Sequence, residues 1–115
     1  MNKFKYLIPF FLAALPLAHG ANAQNYPTRP IRIVVPYPPG GAADNTARVM
    51  QPRLIEALGQ QIVLDNRSGA SGIIGADIVA KSAPDGYTLL HDASAFTVNP
   101  ALRKLPFDPL KDLVP

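Results

Sequence analysis

Short apolar runs alternate along this chain with loops of proline and glycine, at the spacing of an α/β protein. Ile31-Arg32-Ile33-Val34-Val35 is β-branched and mostly apolar, the pattern of a buried strand, and Pro36 ends it. Tyr37 to Ala43 is a loop dense in proline and glycine. A helix is predicted from an N-cap at Asp44 to about Leu58, where Gly59 is a natural stop. Val49, Met50, Leu54 and Leu58 fall at helical spacing, and Pro52 predicts a bend near Arg48 because it removes one helical amide.

Ile62-Val63-Leu64, within Gln61 to Asp65, predicts a second strand. A glycine-bearing loop from Asn66 to Gly72 leads into a second predicted helix, Ile73 to Ser82, with Ile74, Ile78 and Val79 as its buried face. Ala83-Pro84-Asp85-Gly86 is a turn, since proline presets φ and glycine accepts the strained position. Tyr87 to Leu90 predicts a third strand. The stretch from Asp92 to Pro115 holds only short apolar pieces and predicts irregular structure, with a turn of helix around Pro100 to Arg103. The whole predicts three parallel strands and two helices, about half of a doubly wound sheet, with strand edges left exposed.

The first 23 residues read differently. Lys3 and Lys5 give a positive start, Tyr6 to Ala18 is apolar, and Ala21-Asn22-Ala23 puts small residues where a signal peptidase cuts, making Gln24 the expected mature N-terminus. A membrane-spanning helix needs roughly 20 apolar residues, and this run is shorter and interrupted by Pro9 and Pro16. The chain has no cysteine, which excludes disulfides, thiolate metal sites and a lipid-modified N-terminal thiol. A soluble, exported chain is the expectation.

Without that leader 92 residues remain, one small domain or part of a larger one. Lys3 and Lys5 leave with it, so nine basic residues face eight acidic ones, and they are scattered singly. Nucleic-acid binding is disfavoured, because neutralising phosphates requires a concentrated basic face.

Ligands of parallel α/β sheets bind beyond the carboxyl ends of the strands. Three loops are expected there: Pro36 to Ala43, Asn66 to Gly72, and His91 to Asn99. The first two each feed a helix N-terminus, where free amides and the helix dipole favour an anion. Gly40, Gly41, Gly69 and Gly72 would let a ligand approach the backbone, or would merely permit tight turns. Asp44 reads first as an N-cap and second as a contact for an ammonium or hydroxyl.

Other chemistries find little support. Gly69-Ala70-Ser71-Gly72-Ile73-Ile74-Gly75 is not the dinucleotide fingerprint, and there is no Walker A sequence. His91, Asp92 and Ser94 suggest a hydrolase, but Ser94 lies in no nucleophile elbow. With His19 in the leader, His91 is the one histidine left, so neither a metal nor a cofactor is expected.

Several segments in order carry a family resemblance: Tyr26-Pro27, Arg29-Pro30-Ile31-Arg32, and Val34-Val35-Pro36-Tyr37-Pro38-Pro39-Gly40-Gly41-Ala42-Ala43-Asp44. They continue in Ala57-Leu58-Gly59-Gln60, Asp65-Asn66-Arg67-Ser68-Gly69-Ala70-Ser71-Gly72, Ile74-Gly75-Ala76, Ala83-Pro84-Asp85-Gly86-Tyr87-Thr88-Leu89-Leu90, Asn99-Pro100 and Leu105-Pro106-Phe107-Asp108-Pro109. Together they resemble the solute receptors of tripartite tricarboxylate transporters, the Bug family of periplasmic binding proteins. The resemblance implies a type II periplasmic-binding-protein fold, two α/β domains closing on a ligand. It implies no enzymatic activity, a small carboxylate ligand (a di- or tricarboxylate, an amino acid or an aromatic acid), and membrane transporter subunits as partners. Carried over by position, the ligand-binding residues are Pro39, Gly40, Gly41 and Asp44 in the first loop, Gly69, Ala70, Ser71 and Gly72 in the second, and Ser94 in the third.

Two features depart from the family. Asp92 stands where a small residue is common, and would disfavour an anionic ligand or favour one bearing an amine. Such receptors are also much longer. Residues 24–115 therefore read as a truncated first domain, and weak binding or none is expected of half a cleft. A non-functional remnant of such a receptor is the alternative reading, and a small secreted hydrolase a more distant one.

Overall fold

The computed structural model describes residues 25–115; the expected leader and its cleavage site lie outside them. Three parallel strands, β1 (Ile31–Val35), β2 (Ile62–Asn66) and β3 (Thr88–Leu90), form one sheet in the order β2-β1-β3. Three helices accompany them: α1 (Ala42–Leu58), α2 (Ile73–Ala80) and α3 (Ala95–Leu102). A one-turn 3-10 segment, Ala70–Gly72, precedes α2.

The central strand organises the core. Ile31, Ile33 and Val35 face α1 and cluster with Ala47 and Ile62; Leu54, Ile55, Leu58 and Leu64 pack around them. Val34 points to the other face of the pleat and is fully buried too, on the side α2 covers. Burial on both faces is why this strand reads as a continuous apolar run.

The expected three parallel strands are present, with a third helix besides the two predicted. Helix α1 begins at Ala42, not after an Asp44 cap, and its N-cap is Gly41. Asp44 occupies the first turn and reaches back to the amide of Gly40, so it ties down the chain entering the helix without occupying the cap position. The helix ends at Leu58 with Gly59 in the left-handed conformation, its amide donating to the Ile55 carbonyl, and Pro52 lies inside one unbroken helix.

The buried faces follow the periodicity reading at Leu54, Leu58 and Val79 and depart from it elsewhere. Val49 is 78% exposed, and Ala47 is the buried apolar residue of α1. Two alanines, Ala43 and Ala47, pack on the core cluster, and Val49, two positions beyond Ala47, falls on the opposite side of the helix. In α2 the buried residues are Gly75, Ala76 and Val79, while Ile74 is about half exposed. A Cβ on Gly75 would lie 2.6 Å from Pro36 Cβ, so this helix too packs through its small residues. The expected turn around Pro100 to Arg103 is instead the eight-residue α3, which starts earlier and carries Pro100 inside it.

Candidate functional site

The carboxyl ends of the strands are Val35, Asn66 and Leu90, and three loops leave from them side by side. The chain passes from β1 to β2 at one edge of the sheet, then crosses to β3 at the other. Strand order thus reverses beside β1, and the crevice between β1 and β3 is the position where open α/β sheets bind ligands.

Loop one carries Pro39, Gly40 and Gly41 into α1. Gly40 has φ 81°, a left-handed conformation that glycine adopts freely. Asp44 is 1% exposed and fully engaged: Oδ2 accepts from Gly40 N and Arg48 Nε, each at 2.8 Å, and Oδ1 accepts from Asn66 Nδ2 at 3.0 Å. Its hydrogen bonds with Arg48, Gly40 and Asn66 hold the carboxyl well below the usual carboxylate range. With both oxygens bonded to protein donors and so little of the residue exposed, this carboxylate presents almost no surface to a ligand.

Loop two carries Gly69, Ala70, Ser71 and Gly72, all with positive φ. For Ala70 and Ser71, at 46° and 56°, this is a strained geometry that persists only where neighbours enforce it. Asn99 of α3 is one such neighbour: buried, it donates from Nδ2 to the Ser71 carbonyl at 3.0 Å. Gly72 N closes the turn onto the Gly69 carbonyl at 3.0 Å.

Loop three runs from His91 to Ser94. Ser94 is exposed, at the N-cap of α3, and its carbonyl accepts from Thr97. No hydrogen bond joins the side chains of His91, Asp92 and Ser94 among the described residues, and Asp92 is engaged elsewhere. Its Oδ1 accepts from Tyr37 Oη and from Ala93 N, each at 2.7 Å. Partial burial, reinforced by the hydrogen bond the phenol donates to Asp92 and by the charge of that carboxylate, pushes Tyr37 up to about 12, so it remains a donor. A Cβ on Gly72 would stand 3.3 Å from both Tyr37 Oη and Asp92 Oδ1.

Four side chains therefore organise the loops. Asn66 joins loop one to β2 through the Tyr37 carbonyl and Asp44, Tyr37 and Asp92 join loops one and three above Gly72, and Asn99 holds loop two. Sequence reasoning assigned no role to Tyr37, Asn66 or Asn99. Tyr37 and Asp92 lie 55 positions apart, and no local pattern announces such a pair. No group of three or more potential metal ligands is found among the described residues, nor any helix long and apolar enough to cross a membrane.

The profile described as "Tripartite tricarboxylate transporter family receptor" matches residues 46–115. The chain belongs to the tripartite tricarboxylate transporter receptor family. This agrees with the resemblance read from the sequence, and the family is one of solute receptors. BugT from Bordetella pertussis is 45% identical over 118 residues, a match that takes in all of this chain and 36% of BugT. An R. palustris protein solved with adipate is 42% identical, with a TM-score of 0.69 over 74% of this chain and 29% of that one. MatC from Rhodopseudomonas palustris, solved with bound malate, is 36% identical, with a TM-score of 0.64 over 76% of this chain and 30% of MatC. The chain thus spans about a third of the length of the relatives it matches.

Proposed function

We propose that this chain supplies one wall of the ligand cleft of a periplasmic receptor, and that this receptor delivers a small carboxylate to a tripartite membrane transporter. Residues 24–115 make up the front part of its first α/β domain, and residues 1–23 direct export. The observation that carries this reading is the meeting of the two glycine-bearing loops at the carboxyl end of the sheet, beside its switch point, in a chain of the receptor family. The backbone amides of Gly69, Ala70 and Ser71, with the Ser94 hydroxyl, are the groups we assign to the carboxylate; Pro39, Gly40, Gly41 and Gly72, the three glycine amides among them being bonded within the protein, shape its approach. Asp44 serves this wall by holding Gly40 in place. Adipate and malate in two structural relatives support the carboxylate class.

Binding energy in such a cleft comes from both walls, so the isolated chain is expected to bind only in the millimolar range, worth about 4 kcal/mol. Titrating the isotope-labelled chain with malate and with adipate, while following backbone amides by NMR, tests the reading. The expected result is fast-exchange shifts centred on Gly69, Ala70 and Ser71, with smaller ones at Gly40, Gly41 and Gly72. Shifts confined to other surfaces, or none, would overturn it.

A further inference from the structure

Asp92 has unequal oxygens. Oδ1 takes both available donors, Tyr37 Oη and Ala93 N, while Oδ2 accepts no hydrogen bond among the described residues. The carboxylate lies flat over Gly72, where a Cβ would stand 3.3 Å from Oδ1 and 3.4 Å from Oδ2. Gly72 is buried and Asp92 only partly so, and the bond to Tyr37 sets the Asp92 carboxylate between the loops that follow β1 and β3. Tyr37 and Ala93 fix the orientation, because both donors require an acceptor at Oδ1. A preoriented acceptor bearing negative charge thus stands beside the amides that would hold a ligand's carboxylate.

We infer that Asp92 is a specificity-determining residue, whose Oδ2 receives an ammonium group of the ligand and so selects aminocarboxylates over plain dicarboxylates. The inference rests on the proposed cleft. A plain dicarboxylate meets like charge at this position, whereas an amino acid meets a charge-assisted hydrogen bond. Replacing Asp92 with Asn keeps an acceptor at the Oδ1 position for Tyr37 and Ala93. It turns the Oδ2 position into an NH2 donor, which repels ammonium and suits carboxylate.

The test compares L-glutamate with glutarate, which share a carbon chain and two carboxylates and differ by the ammonium. Amide titrations by NMR on the full chain give apparent affinities for the wild type and Asp92→Asn. We expect the wild type to favour glutamate by about tenfold, and the variant to lose or invert that preference. Thermal unfolding of the variant reads any structural role of Asp92 separately, since such a role moves the midpoint without moving the ratio of affinities. If the glycine-loop amides respond to both probes but the ratio is the same in both proteins, the inference fails and the cleft reading stands. If the loops respond to neither probe, both are overturned.

Discussion

Asn66 Nδ2 donates to Asp44 Oδ1 at 3.0 Å and to the Tyr37 carbonyl at 3.1 Å, bolting the end of β2 to the first turn of α1 and to the loop between β1 and α1. A buried carboxylate is tolerated here because each of its oxygens is hydrogen-bonded, two of the donors being neutral and one a guanidinium. The first candidate loop is thereby held by a polar cluster, in addition to the packing of Pro36 and Ala43 at its ends.

Removing Asp44 should loosen that loop. Asp44→Ala leaves Asn66 Nδ2 without its carboxylate partner and Gly40 N without an acceptor, and an unmade buried hydrogen bond costs more than a made one contributes. The expected result is a fall in thermal midpoint of roughly 5 °C or more, read by circular dichroism, with the NMR shifts of Gly40 and Gly41 changed most. Arg48→Ala removes only the half-exposed partner, and its effect should be clearly smaller. Equal losses in the two variants would contradict the arrangement.

Acid should destabilise the fold from about pH 4 downward, where free aspartates begin to protonate. Asp44 is depressed by Arg48, Gly40 and Asn66. Asp65 is lowered as well, because Arg32 and Arg67 outweigh the opposing effect of its burial. The unfolded chain then takes up protons before the folded one, so stability is complete above the ordinary aspartate range and is lost as pH falls toward the depressed folded values. Urea midpoints measured between neutral pH and pH 3 should decline in the wild type and decline less in Asp44→Asn. A flat wild-type profile would exclude both carboxylates as contributors.

Gly75→Ala should be among the costlier single-methyl additions. The new Cβ would stand 2.6 Å from Pro36 Cβ, 3.0 Å from Pro36 Cα and 3.1 Å from the Arg67 carbonyl, so backbone must move to admit it. Overpacking of this kind costs about 1–3 kcal/mol, although alanine is the better helix former on an open surface. Chemical denaturation of Gly75→Ala and of the solvent-facing Val49→Ala gives the contrast: a marked loss for the first and about 0.5 kcal/mol or less for the second.

The strands could be read in advance because β1 is buried on both faces and its sequence shows it. Gly59 marked the end of α1 because a left-handed residue is cheapest as glycine. The helix faces were read correctly at Leu54, Leu58 and Val79 and wrongly at Val49 and Ile74. Small residues, Ala43, Ala47, Gly75 and Ala76, share those contacts with the sheet, and hydrophobic periodicity weights instead the larger Val49 and Ile74, which solvent receives. Helix α3 was read as little more than a turn, since Pro100 and a short apolar pattern hide it. Within the site, the glycine loops were visible as local patterns. The clamps by Asn66, Tyr37 and Asn99 were not, because each spans between 22 and 55 positions and depends on which loops the sheet makes neighbours.

The strain in the second loop can be tested by substitution in both directions. Ser71 holds φ at 56°, although its side chain makes no hydrogen bond among the described residues that would reward the conformation. Ser71→Gly removes a left-handed cost of about 1–2 kcal/mol and returns about 0.5–1 kcal/mol of chain entropy. The expected outcome is unchanged or raised stability, by up to about 1.5 kcal/mol in urea denaturation. Gly72→Ala runs the other way. It places a side chain on a residue with φ 91° and presses a methyl group within 3.3 Å of Tyr37 Oη and Asp92 Oδ1, so it should cost more than about 1 kcal/mol and shift the Tyr37 ring resonances. Destabilisation by Ser71→Gly would show that the serine itself, and not the fold around it, imposes the turn.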